Sequence, residues 1–71
     1  MVEFKYKCRL CGDIHSYCDI ENDYAFPVLI HAIAQVKMPD HLQGYDIPMI
    51  AYHSCNDHNV GVSDFIGYIE V

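Results

Sequence analysis

From Glu3 to Cys8 the chain alternates strictly, with Phe4, Tyr6 and Cys8 on one side and Lys5, Lys7 and Arg9 on the other, the period-two pattern of a half-buried strand. Ile14 to Ile20 alternates as well, and Cys8-Arg9-Leu10-Cys11-Gly12-Asp13 between them carries turn chemistry. The pair predicts a β-hairpin with two cysteines at its tip. The acidic stretch Asp19 to Asp23 closes the hairpin and offers a helix N-cap, and Pro27 suits a first helical turn, where its missing N–H costs nothing. From Phe26 to Lys37, Phe26, Leu29, Ile30, Ile33 and Val36 recur at helical spacing. They predict a helix that buries this arc and turns Val28, His31, Ala32 and Gln35 outward. Two apolar residues on that outer arc, Val28 and Ala32, point to a homodimer as the default alternative to a foreign partner.

Met38-Pro39-Asp40 stops the helix, and the segment to Pro48 reads as a loop. Met49 to Cys55 predicts another strand, with Met49, Ala51, His53 and Cys55 on one face and Ile50, Tyr52 and Ser54 on the other. Asn56 to Asn59 reads as a turn, Ser63-Asp64 as the start of a single helical turn, and Phe65 to Val71 as a final strand. The expected fold class is α+β: an N-terminal β-hairpin, one central helix and a C-terminal β-hairpin in one domain spanning residues 1–71.

Composition sharpens this outline. A chain of 71 residues, 52% of them hydrophobic, is near the size at which one apolar core rarely suffices, so a metal, disulfides or a partner chain is expected to help. The longest apolar run, Ala25 to Ala34, is broken by Pro27 and His31 and is too short to span a membrane. The first residues alternate instead of presenting a basic start and an apolar core, so no export signal is visible, and a reducing, cytoplasmic setting with free or metal-bound thiols is expected.

The four cysteines then become candidate ligands. In Cys8-x-x-Cys11-Gly12, two thiolates at a hairpin tip can reach one tetrahedral ion while the glycine lets the backbone fold over the sulfurs. Thioredoxin-like redox exchange, the competing use of this spacing, wants the motif at the start of a helix, whereas glycine and alternating residues follow it here. The other soft-ligand cluster is His53-Ser54-Cys55-Asn56-Asp57-His58. Cys55 belongs to either completion of the site, with His53 or His58 as the fourth ligand. His53 is favoured because apolar neighbours would leave it needing a partner, while His58 sits in a polar turn. A Cys3His set selects zinc over magnesium or calcium because thiolate is soft; iron would favour a fourth cysteine. Cys8, Cys11, His15 and Cys18 form a competing local set that resembles the retroviral zinc knuckle in its first pair and departs from it in the spacing of the last two. At about 3.3 Å per residue Cys18 would lie roughly 20 Å from the tip, as a small apolar side chain, with His15 on the strand surface.

These ligand residues resemble the zinc-ribbon group, in which a Cys-x-x-Cys-Gly knuckle is joined by a distant second pair. The resemblance covers little beyond the ligands, since zinc ribbons commonly end in two further cysteines and the helix here is an insertion. The size and acidity also resemble small phage-encoded accessory proteins.

Four protein ligands close a zinc site, so no enzyme activity is expected, although three ligands beside Asp57 or His58 would formally leave room for a catalytic water. With ten acidic side chains against four basic ones and a net charge of −6, phosphate binding is disfavoured, and Lys5, Lys7 and Arg9 form the only basic stripe on which a nucleic-acid-binding alternative can rest. The acidic residues Asp13, Asp19, Glu21 and Asp23, with Tyr45, form the expected partner surface, suited to a basic patch on another protein such as one that handles nucleic acid. A metal-free homodimeric domain is the remaining alternative.

Overall fold

In a computed structural model, which describes residues 1–56 and 58–71, the elements run β1 (Val2–Cys8), β2 (Ile14–Ile20), α1 (Asn22–Ala34), a 3-10 turn at Asp40–Leu42, β3 (Ile50–Ser54) and β4 (Val60–Glu70). The fold class is α+β, as expected. Both hairpins form, and β1 pairs antiparallel with β4 to join them into one four-stranded sheet of order β2-β1-β4-β3. Register shifts between Glu3 and Lys5 on the β2 side of β1, and between Lys5 and Tyr6 on its β4 side, bend the sheet. The two edge strands therefore approach each other across its concave face, where the His15 ring of β2 lies 4.6 Å from the His53 ring of β3, nearly parallel to it.

The alternation of β1 is expressed as read: Val2, Phe4, Tyr6 and Cys8 are buried on the concave face. Phe4 meets Phe65 and Tyr68 at 5.9 and 5.6 Å between ring centroids, and Tyr6 meets Tyr17 and Phe65 at 5.6 and 5.4 Å, so an aromatic layer fills the bend. The Tyr6 hydroxyl donates to the Pro48 carbonyl at 2.6 Å, tying the central strand to the segment that precedes β3.

The helix departs from the sequence expectation in its ends and its face. It starts at Asn22, so Pro27 lies inside it, and it ends at Ala34, where Gln35 turns left-handed at φ 58° and its N–H caps the His31 carbonyl. The buried side is Ala25, Val28 and Ala32, while Phe26, Ile33 and Val36 are exposed. Val28 and Ala32 therefore line the core, which removes the basis on which an outward pair had suggested a homodimer. The reason is volume: Met38, Leu42 and Ile47 fold back from the following segment into the same core cluster, leaving room there for small helix side chains. That segment, read as a plain loop, thus supplies core. Ser63-Asp64 opens no helical turn either. Both residues sit within β4, paired with Cys8 and Lys7 on one side and Ala51 and Ile50 on the other, and the double ladder outweighs local capping chemistry.

Candidate metal centre

The tip of the β1–β2 hairpin is shaped by its own backbone. The Gly12 N–H donates to the Cys8 carbonyl and the Cys8 N–H to the Asp13 carbonyl, both at 2.9 Å, with Gly12 at φ 78°, a conformation in which a side chain would be strained. The Arg9 N–H donates to the Val62 carbonyl at 2.8 Å and holds the tip against β4. From the other hairpin, His53 points to the concave face from β3, and the Cys55 N–H donates to the Asn59 carbonyl at 3.0 Å just beyond it.

These two ends meet. One ligand atom from each of Cys8, Cys11, His53 and Cys55 lies within 4.8 Å of every other, so the Cys3His group can hold a metal ion. The Cys8 and Cys55 sulfurs are 3.6 Å apart, and His53 Nδ1 is 3.5 Å from Cys11 Sγ and 3.6 Å from Cys55 Sγ. A tetrahedron with bonds of about 2.3 Å to sulfur and about 2.0–2.1 Å to nitrogen has edges of roughly 3.8 Å (S–S) and 3.6 Å (S–N), close to these separations.

The sulfurs sit in unequal electrostatic settings. The Cys11 amide, with help from His53 and the Leu10 amide, lowers the Cys8 thiol from 9.0 to about 6. Burial and the adjacent Cys11 and Cys8 sulfurs push Cys55 up to about 12. A dication among the sulfurs would favour the thiolate form at each of them.

Gly61, opposite His53 on β4, forms the floor of the group. A Cβ there would collide with Cys8 Sγ, come within 2.9 Å of Leu10 Cβ and stand 3.4 Å from Cys55 Sγ. Sequence reading passed over this glycine, although a glycine inside a strand pattern signals close approach by another group. His15 was misplaced as well. It is half-buried, its Nε2 is 2.7 Å from the oxygen of the fully buried Ser63, and its ring backs that of His53.

The remaining candidates fall outside the group. His58 is exposed in the turn, with its N–H on the Asn56 side-chain oxygen at 2.9 Å, and Asp57 lies outside the described residues. Cys18 packs against the core towards the far end of β2, and burial raises its thiol pKa. Asp13 is separated from Asp19, Glu21 and Asp23 by most of the length of β2, and its Oδ2 lies 3.4 Å from His53 Nε2. Tyr45 is exposed, 5.6 Å from the Tyr24 ring of the helix. Of the basic stripe, Lys5 donates to Ser16 at 2.8 Å and pairs with Glu3 at 3.6 Å, while Arg9 forks onto Asp64 with Nε 2.6 Å from Oδ2. No family model matches the chain, and no curated protein or solved structure matches it, so what is established is a small β-rich domain bearing a Cys3His cluster.

Proposed function

We propose that the chain is a small, non-enzymatic zinc protein in which Cys8, Cys11, His53 and Cys55 hold a structural Zn(2+), and that it acts by contact with another protein. The observation that carries the zinc reading is the convergence of four soft ligand atoms, two from each hairpin, at separations suited to a tetrahedral ion. Four protein ligands leave no open position for a substrate or water. Such an ion can contribute an apparent ~10 kcal/mol or more of folding free energy, the kind of term a domain of this size needs.

The contact reading is supported by charge. Asp19, Glu21 and Asp23 are exposed around the start of the helix, and the net charge of −6 favours a basic partner surface, such as the phosphate-binding groove of a nucleic-acid-handling protein. Engagement of Lys5 and Arg9 with neighbouring carboxylates weakens the phosphate-binding alternative.

Native mass spectrometry of the chain and of Cys8→Ser, Cys11→Ser, His53→Ala, Cys55→Ser and His58→Ala tests the zinc reading. One zinc per chain is expected, lost in the first four variants and kept in His58→Ala, with monomer or dimer read from the same spectrum. A folded, metal-free wild type would overturn it. For the contact reading, neutralising Asp19, Glu21 and Asp23 together is expected to abolish partner capture, and reversing Lys5, Lys7 and Arg9 to leave it intact; the opposite pattern would favour nucleic acid.

A further inference from the structure

We propose that Asp13 is a positioning carboxylate for the metal centre: it holds His53 in the tautomer protonated at Nε2, so that the Nδ1 lone pair is committed to the ion. The proposal rests on the Cys3His reading and adds to it a fifth residue, one that touches no ion.

His53 has two ring nitrogens, and the geometry divides their tasks. Nδ1 faces the sulfurs, 3.5 Å from Cys11 Sγ and 3.6 Å from Cys55 Sγ, while Nε2 faces away from them, towards Asp13 Oδ2 at 3.4 Å. A carboxylate can only accept, so it selects the tautomer with the proton on Nε2, and its charge makes the other nitrogen a better donor to a metal. The separation is a few tenths of an ångström longer than an ordinary N–H···O bond. The contact is an ion-pair approach and not a formed hydrogen bond, so the proposed role requires the Asp13 side chain, which is 62% exposed, to close on Nε2–H.

The ring itself has little freedom to turn. His15 stacks on it at 4.6 Å with the planes 14° apart, and His15 is in turn held by Ser63 at 2.7 Å. Nor is the Asp13 backbone free, since its carbonyl accepts the Cys8 N–H and it follows Gly12 in its left-handed turn. The same knuckle therefore presents two thiols on one side and a carboxylate on the other, with the imidazole between. This also explains why Asp13 stands apart from the acidic group near the helix: it serves the metal centre, not the partner surface.

The test uses the full chain with cobalt(II) and zinc as probes, and compares Asp13→Ala, Asp13→Asn and Asp13→Glu with Asp19→Ala, which removes the same charge at a distance. Affinities come from competition with a chromophoric chelator, and the His53 tautomer from 15N chemical shifts of the zinc-loaded protein. Asp13→Ala and Asp13→Asn are expected to bind 10- to 100-fold more weakly, Asp13→Glu to recover most of that loss, and Asp19→Ala to stay within about twofold of wild type. The wild-type shifts should show Nδ1 bound and Nε2 protonated. Asp13→Ala binding within twofold of wild type, an equal loss in Asp19→Ala, or coordination through Nε2 would each overturn the role of Asp13 while leaving the metal site standing. A wild type that binds neither ion would overturn both together.

Discussion

The two ends of the molecule are built on different principles. At the helix end, order comes from excluded water: Val2, Phe4, Ile20, Ala25, Val28, Ala32, Met38, Leu42 and Ile47 bury one another, and no single pair decides the outcome. At the hairpin-tip end there is little to bury. Leu10 is 61% exposed and Cys11 lies at the surface, and chain segments some forty residues apart are brought together at the Cys8, Cys11, His53 and Cys55 ligand atoms. The contrast sets an end held by buried volume against one whose strands converge on four ligand atoms able to hold a metal ion.

That comparison can be broken most severely at the ligand atoms. Cys8→Ser is expected to abolish zinc binding and disorder the hairpin tips while the helix end persists, giving selective loss of amide protection at residue 8, Gly12 and Cys55 by hydrogen exchange; uniform loss across the chain would show that the two ends are not separable. Leu42→Ala attacks the other end. It should cost about 2–5 kcal/mol in denaturant unfolding of the zinc-loaded chain and leave the zinc stoichiometry at one, because Leu42 is 1% exposed in a core cluster to which none of the four ligands belongs.

Gly61→Ala comes next, at about 1–3 kcal/mol, because its Cβ would enter the space of Cys8 Sγ and Leu10. Its signature is a zinc affinity that falls along with stability, which Leu42→Ala should not produce. Tyr6→Phe sharpens the boundary between the ends. Losing the bond to Pro48 should cost about 1 kcal/mol. Burial, with smaller contributions from Cys18, Tyr17 and Asp46, raises the Tyr6 pKa from 10.0 to about 12. Because the folded value is the higher one, the stability linked to the neutral phenol is complete below about pH 10 and is lost as the pH rises through about 12. Ultraviolet titration should find a late-titrating tyrosine component that is missing in Tyr6→Phe. The smallest expected effect is a rate. With zinc bound, Cys18 alone should react with a thiol reagent, and slowly because burial raises its pKa; after chelation all four should react.

Legibility followed the range of the interaction. The Cys8-x-x-Cys11-Gly12 knuckle was readable because every part of it is local, and β2 begins and ends at Ile14 and Ile20 where its alternation does. His53 and Cys55 could be placed on one strand face by parity alone. The helix face could not be read in this way. Periodicity placed Phe26, Ile33 and Val36 together on one arc, but choosing the arc that packs required knowing that Met38, Leu42 and Ile47 occupy the neighbouring volume. Gly61, His15 and Asp13 were missed as members of the centre for a related reason: each matters through a group from another strand or turn.

Local chemistry in the chain thus specified β1, β2, β3 and the second half of β4, the glycine-closed turn and the soft ligands, since backbone sterics, side-chain parity and thiol chemistry act within a few residues. Tertiary structure alone settled the rest. Pairing of β1 with β4 and the bend of the sheet brought the edge strands together, chose His53 over His58 for the Cys3His group, and set Asp13 behind the imidazole. Those outcomes depend on where whole elements sit relative to one another, a relation that no short window of sequence contains.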